Sequence, residues 1–141
     1  MTVCAFVAPS LMPATLDFVA AAAYLPGVRL ALITTESASR LPDPLRAALA
    51  GHWRIDSPLD PNETAGAVRG PTRQLGPVGR LLGSLEQLQV PLARVREALG
   101  IEGDGFVTVR DRDTDVVREA LQRLISDITI EVGPREKELA S

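Results

Sequence analysis

The stretch RLLGSLEQLQVPLARVREALGI, residues 80–101, decides the fold because it contains a complete strand, turn and helix. Residues 80–83 (RLLG) predict a short buried strand. Residues 90–99 form an amphipathic helix that tolerates a proline in its first turn and ends at a glycine. Ser84 and Glu86 follow the strand, at the edge where open α/β sheets bind ligands. The stretch therefore predicts a ligand site that includes both side chains.

The preceding chain supplies a unit of strand, helix and strand. Residues 3–8 (VCAFVA) and 28–34 (VRLALIT) are short, nearly continuous apolar runs, which is typical of strands covered on both faces of a parallel sheet. Residues 14–25 between them predict a helix, which Pro26 and Gly27 terminate. This order implies a right-handed crossover between two parallel strands.

The middle of the chain continues the same alternation. Residues 42–50 predict a short helix and residues 52–55 a brief third strand. Asp60 or Asn62 can cap the next helix, which we expect to break near Arg69 because two glycines and a proline weaken it. The fold class that follows is α/β, an open, mostly parallel sheet with helices on both faces.

The last forty residues predict an appended segment. Residues 106–110 and 128–132 have strand character, and Asp113 or Thr114 can cap a helix between them. We expect residues 102–133 to join residues 1–101 in one compact domain, with residues 134–141 as a charged tail. The β-branched residues at 128–132 predict an unpaired edge that pairs across a homodimer.

Composition excludes several classes of protein. A chain of 141 residues with 45% hydrophobic residues forms one domain of ordinary size. Its net charge of -3 leaves no basic field for nucleic acid. The single cysteine excludes an internal disulfide and suits a reducing compartment. No stretch reaches the ~18 to 20 unbroken apolar residues of a membrane span, so we expect a cytoplasmic protein that binds neither nucleic acid nor membrane.

Four segments resemble one known family in their order and spacing. They are VAPSLMPATLDFVAAAAYLPGVRLALIT (7–34), GHWRIDSPLDP (51–61), GPVGRLLGSLEQLQVP (76–91) and VREALGI (95–101). Over residues 1–101 they resemble the N-terminal, pre-ATP-grasp domain of ATP-grasp carboxylate ligases. The resemblance implies a Rossmann-like sheet that contributes one wall of a substrate site.

The resemblance stops at residue 102. In the family, Gly-Ile is usually followed by Pro-Gly and a basic helix, whereas this chain continues EGDG and then a strand. ATP-grasp catalysis uses lysines to hold phosphates, and the only lysine of this sequence is Lys137. We therefore expect a stand-alone domain that is not catalytic by itself, has no cofactor of its own and binds a small ligand or a partner protein. Two alternatives are the substrate-binding part of a carboxylate–amine ligase whose ATP-binding lobes lie on another chain, and a self-associating structural module.

Each candidate site residue has a structural alternative. Ser84 and Glu86 suit a substrate amine or a hydroxyl, but Glu86 also suits the N-terminus of the following helix. Ser10 and Thr15 follow the first strand, where backbone N–H groups can face an anion. The alternative for that loop is an ordinary turn and helix cap. That loop contains no glycine and so lacks the Gly-x-Gly-x-x-Gly motif of a dinucleotide fingerprint.

Other reactive side chains have structural interpretations. Cys4 lies inside an apolar strand and is expected to be an inert core thiol. His52 is the only histidine and is expected at the edge of a strand. Alternating acids resemble metal ligands, but helix capping and solvation explain them, and no metal is expected; they are Asp111, Asp113 and Asp115.

Overall fold

The computed structural model describes residues 1–103 together with residues 113, 115, 116, 118 and 119. The chain divides into two compact units, Met1–Phe106 and Val107–Ser141. The strands expected at 106–110 and 128–132, the interface expected there and the charged tail lie outside the described residues. Among the residues that are described, no helix combines the length and apolar character that crossing a membrane requires.

The first unit is built on a sheet of four parallel strands. They are β1 (Thr2–Ala8), β2 (Val28–Thr34), β3 (Gly51–Arg54) and β4 (Val78–Leu82), in the order β3-β2-β1-β4. β1 pairs in parallel with both β2 and β4, and β2 pairs in parallel with β3. This confirms the predicted α/β fold with an open parallel sheet.

Helices cover both faces of this sheet. The helices are α1 (Pro13–Ala23), α2 (Asp43–Ala48), α3 (Pro61–Leu75) and α4 (Gln89–Leu99), with 3₁₀ turns at Ala38–Arg40 and Glu86–Leu88. On one face, Cys4 and Phe6 of β1 share a buried cluster with Val19 of α1 and Leu45 of α2. On the other, a second cluster joins β1 to α3 and α4; it includes Ala5, Val7, Val68, Leu92 and Val95. β1 is apolar along its length because successive side chains enter two different cores.

The expected break in α3 near Arg69 is wrong, because the helix runs on through Pro71 to Leu75. Pro71 is buried and contributes to packing. A Cβ built on Gly70 would lie 2.5 Å from Nε1 of Trp53, a residue of β3. The glycine therefore permits close approach of the helix to the indole instead of ending the helix.

The strand order determines where the loops of the two halves diverge. The chain runs outward from β1 through β2 to β3, and α3 then returns it to β4 on the other side of β1. The topological switch point therefore lies between β1 and β4. Gly83 follows β4, and a Cβ there would lie 2.7 Å from Cδ1 of Leu92 and 3.1 Å from Cδ1 of Leu88. This glycine lets α4 begin close to the sheet.

Candidate functional site

The carboxyl ends of all four strands meet at one edge of the sheet because the strands are parallel. The loops that leave this edge contain residues 9–12, 35–37, 55–59 and 83–85. Ligand sites of open α/β sheets form from such loops. This edge is the candidate site.

Hydrogen bonds tie the loops after β1 and β2 together. The Glu36 carboxylate accepts the backbone N–H of Leu11, and the Thr35 hydroxyl donates to the carbonyl of Pro9. Arg54, at the end of β3, donates from Nη2 to the Thr35 carbonyl at 3.2 Å. Three neighbouring strand ends therefore share one network, which holds the loops in a defined arrangement.

The loop after β3 is held from the helix that follows it. Oε1 of Glu63 accepts the backbone N–H groups of Asp56 at 2.8 Å and Ser57 at 3.1 Å. The buried Thr64 hydroxyl donates to the Pro58 carbonyl at 3.1 Å. Among the residues described, the Asp56 carboxylate takes part in none of the ion pairs. Its charge is available to a ligand.

A cavity of about 400 Å³ opens between these loops. Its lining consists of Pro9, Thr35, Asp56, Ser57, Pro58, Leu59 and Gln87. A volume of this size lies in the range of small-molecule sites, in which an apolar lining carries a few orienting polar groups. The lining offers one carboxylate, two hydroxyls and an amide, together with prolines and a leucine.

A second cavity, of about 410 Å³, lies beside β4, and its lining is Phe6, Phe18, Leu82, Gly83, Ser84, Gln89 and Arg96. Arg96 donates to the Leu81 carbonyl from Nε at 3.2 Å and from Nη2 at 2.7 Å. Gln89 donates to the carbonyls of Gly83 and Leu85 at 3.4 and 3.2 Å. Arg96 and Gln89 are thus engaged by the backbone, and Ser84 is the third polar side chain of a mainly apolar lining.

The structure places the three predicted ligand residues at the carboxyl edge of the sheet but not in one described cavity. Ser84 is exposed and lines the cavity beside β4. Ser10 is half-buried in the loop after β1, and Glu86 is exposed at the start of the 3₁₀ turn. Neither Ser10 nor Glu86 belongs to the lining of the two cavities described above.

Sequence analysis missed the polar groups of the cavity of about 400 Å³ between the loops after β1, β2 and β3. Asp56, Ser57 and Gln87 were assigned no role, although Asp56 and Ser57 directly follow a predicted strand in the segment RIDSP. Polar residues after each strand of a parallel sheet converge at one edge, so the same rule that identified Ser84 could have identified this pair. Gln87 gave no such signal because it lies beyond its strand, within a 3₁₀ turn.

The reactive side chains of the strands lie where the sequence predicts. Cys4 is buried, and burial raises the pKa of its thiol, with Arg80 acting in the opposite direction. His52 lies in β3, an edge strand of the four described, and its Nε2 atom is buried without a hydrogen-bond partner. Burial lowers the pKa of His52; the Glu36 backbone opposes this shift and Arg54 adds to it.

Asp113 shows the capping interaction that sequence analysis gave as the alternative to metal binding. Its Oδ1 accepts the backbone N–H of Asp115 at 2.9 Å, and residues 115, 116, 118 and 119 are helical. The Asp115 carboxylate pairs with Arg118 at 2.9 Å. Both acids are thereby assigned a structural role at the start of a helix.

Comparison with known proteins supports the fold. No protein-family model matches the chain, and no curated protein matches it. Among solved structures it is similar to an L-amino acid ligase from Bacillus licheniformis, with a TM-score of 0.59 and 17% sequence identity. The match covers 95% of this chain and 36% of that ligase. The chain thus spans about a third of the length of that ligase, and the likeness is one of fold.

Proposed function

We propose that this chain is a pre-ATP-grasp-like domain that binds a small, amine-bearing ligand at the carboxyl edge of its sheet and does not catalyse a reaction by itself. The cavity of about 400 Å³ carries the proposal, because loops from three strand ends and the 3₁₀ turn after β4 converge on it. The fold it shares with part of an L-amino acid ligase supports the proposal.

The charge of the cavity favours an amine over an anion. Asp56 is the charged residue of the lining, and its carboxylate has no cation beside it in the described ion pairs. A primary ammonium group would supply that cation and donate to a hydroxyl or to the Gln87 amide oxygen as well. The prolines and Leu59 would contact an apolar part of the same ligand.

A second candidate function is a share in an ATP-dependent carboxylate–amine ligase. Two findings favour it: the chain is similar in fold to part of an L-amino acid ligase, and it spans about a third of that ligase's length. Phosphoryl transfer requires cations placed on the phosphates, and this sequence has one lysine, Lys137. ATP-binding lobes on another chain would then supply the catalytic groups, and this domain would supply one wall of the substrate site.

The experiment is a titration followed by ¹H–¹⁵N correlation spectra of the labelled protein. The probes are a small amino acid amide and its N-acetylated form, in which a neutral acetamide replaces the ammonium group. We expect the amide to shift resonances of residues 9–12, 35–37 and 55–59, and the acetylated form to have a much smaller effect. Asp56→Asn should abolish the response, whereas Glu97→Gln, an exposed change on α4, should preserve it. Shifts confined to other residues, or no shifts with either probe, would contradict the proposed site.

A further inference from the structure

Most residues that line the proposed cavity offer a ligand no backbone N–H group. Two of them, Pro9 and Pro58, have none because they are prolines. Two more, Asp56 and Ser57, already donate their N–H groups to Oε1 of Glu63, at 2.8 and 3.1 Å. Four of the seven lining residues are therefore without a free backbone donor. Open α/β sheets use such donors to hold anions at this edge.

Neighbouring N–H groups are occupied by carboxylates in the same way. Glu36 accepts the N–H of Leu11 in the loop after β1. At the start of α3, Oδ1 of Asp60 accepts the N–H of Asn62 at 2.9 Å. Together with Glu63, these acids place the protein's own carboxylates on donors that the carboxylate or phosphate of a ligand could otherwise use.

The side chains of the lining supply no cation for an anion. Asp56 is the charged residue of the lining. Two arginines near this edge lie outside the lining and have other partners: Arg40 pairs with Glu36 at 3.5 Å, and Arg54 donates to the Thr35 carbonyl at 3.2 Å. A second negative group beside Asp56 would therefore meet repulsion without a compensating charge.

The remaining polar groups suit an ammonium group and a neutral carbonyl. The Thr35 hydroxyl donates its proton to the Pro9 carbonyl, so toward a ligand it acts as an acceptor. The Ser57 hydroxyl and the Gln87 amide can donate to a carbonyl oxygen. A ligand that matches this set carries an amine together with an amide instead of a free acid.

We propose that the site prefers α-amino amides to free amino acids, and that Glu63 sets this preference by occupying the N–H groups of Asp56 and Ser57. The inference rests on the proposed function, because it concerns the ligand class of the same cavity. Glu63 is half-buried, and among the described residues it forms none of the ion pairs. It is a positioning residue that acts through the loop after β3.

The first test compares alaninamide with alanine, which share the ammonium group and the side chain. Both are titrated near neutral pH, and the resonances of residues 55–59 are followed in ¹H–¹⁵N spectra. We expect alaninamide to bind about tenfold or more tightly, since only alanine brings a like charge to Asp56. Equal affinities would overturn this inference and leave the proposed function standing. If neither compound binds, the proposed function fails and the inference fails with it.

The second test measures the ratio of the two affinities in variants of Glu63. Glu63→Gln keeps an acceptor for the two N–H groups and should retain most of the preference. Glu63→Ala leaves them open to the carboxylate of alanine, so the ratio should fall to about threefold or less. Glu97→Ala, an exposed change on α4, should leave the ratio at its wild-type value.

The ratio separates this role from a purely structural one. In Glu63→Ala the loop keeps a second anchor, because the Thr64 hydroxyl donates to the Pro58 carbonyl at 3.1 Å. Resonances outside residues 55–63 report whether the fold is intact. A Glu63 that only stiffens the loop would weaken both compounds equally in the alanine variant. An unchanged ratio in Glu63→Ala would therefore overturn the assignment.

Discussion

The carboxylate of Glu36 accepts a hydrogen bond from the backbone N–H of Leu11, 25 residues earlier in the chain. This bond joins the loop after β2 to the loop after β1 at the edge where the proposed ligand site lies. The same carboxylate pairs with Arg40 at 3.5 Å. The half-buried Glu36 therefore holds the walls of the site in place and does not enter the lining of the 400 Å³ cavity.

We expect Glu36→Ala to destabilise the protein by about 1–3 kcal/mol, since it leaves a partly buried backbone N–H without an acceptor. Urea unfolding followed by fluorescence of the single tryptophan measures the change in free energy of unfolding. Glu97→Ala removes a carboxylate from an exposed position of α4 and should cost less than about 0.5 kcal/mol. Equal effects of the two substitutions would show that the bond to Leu11 contributes nothing.

Two glycines of α3 should respond in opposite directions to the same substitution. Gly70→Ala places a Cβ within 2.5 Å of the Trp53 ring, and we expect a loss of about 1–3 kcal/mol. Gly66→Ala meets nothing within 4 Å and should stabilise by about 0.5–1 kcal/mol through helix propensity. The same urea series measures both. A stabilising Gly70→Ala would show that the indole moves aside at little cost.

His52 should make stability depend on pH below neutrality. Burial lowers the pKa of the His52 side chain in the folded protein. As the pH falls below the ordinary histidine pKa of about 6.5, the unfolded chain therefore binds a proton at this residue before the folded protein does. The stabilisation is therefore present above that pH and is lost as the pH falls through it. The free energy of unfolding measured between pH 7 and 5 should fall more steeply for the wild type than for His52→Gln. Equal slopes would assign the acid sensitivity to other groups.

Cys4 should behave as a structural thiol. Burial raises the pKa of the thiol and shields the sulfur, so a thiol reagent should label native protein far more slowly than urea-unfolded protein. Cys4→Ser should lower stability by about 1–3 kcal/mol because it buries a hydroxyl. Labelling of the native protein at the rate of an exposed thiol would be incompatible with the packing of β1.

The isolated chain should neither bind MgATP tightly nor hydrolyse it. The expectation follows from the single lysine, near the end of the sequence, because phosphate charge requires preplaced cations. Titration calorimetry and a phosphate-release assay provide the measurement. A dissociation constant in the low micromolar range, which corresponds to a binding free energy of about -8 kcal/mol, would contradict the binding expectation, and release of phosphate would exclude the non-catalytic function proposed above.

β1 and β2 were predictable because burial on both faces leaves a clear sequence signal. The run VRLALIT predicts β2 at the bounds the structure shows, and β1 begins one residue earlier than predicted. The length of α3 was not predictable from local propensity. Gly70 and Pro71 weaken an isolated helix, whereas in the fold the first lies close to Trp53 and the second is buried. Tertiary packing overrides propensity at both positions.

The site was predictable in location but not in composition. Loops at the carboxyl ends of parallel strands commonly bind ligands, and this rule pointed to the edge of the sheet where the cavities lie. Ser84 lines one of those cavities. The lining of the 400 Å³ cavity depends on which loops lie side by side, and that follows from the strand order β3-β2-β1-β4. A single sequence contains no measure of strand order, so it was not evident that Thr35 and Asp56 line the same cavity.

The parallel pairing of Val3 with Val78 joins the first strand to the last of the four described. During synthesis, β1 can pair with β2 early, but its second partner emerges from the ribosome only after α3. A nascent chain that ends before β4 therefore presents the most apolar strand of the sheet as an open edge. The vulnerable interval of translation lies between the emergence of β1 and that of β4, and chaperone binding to ribosome-bound chains should peak there.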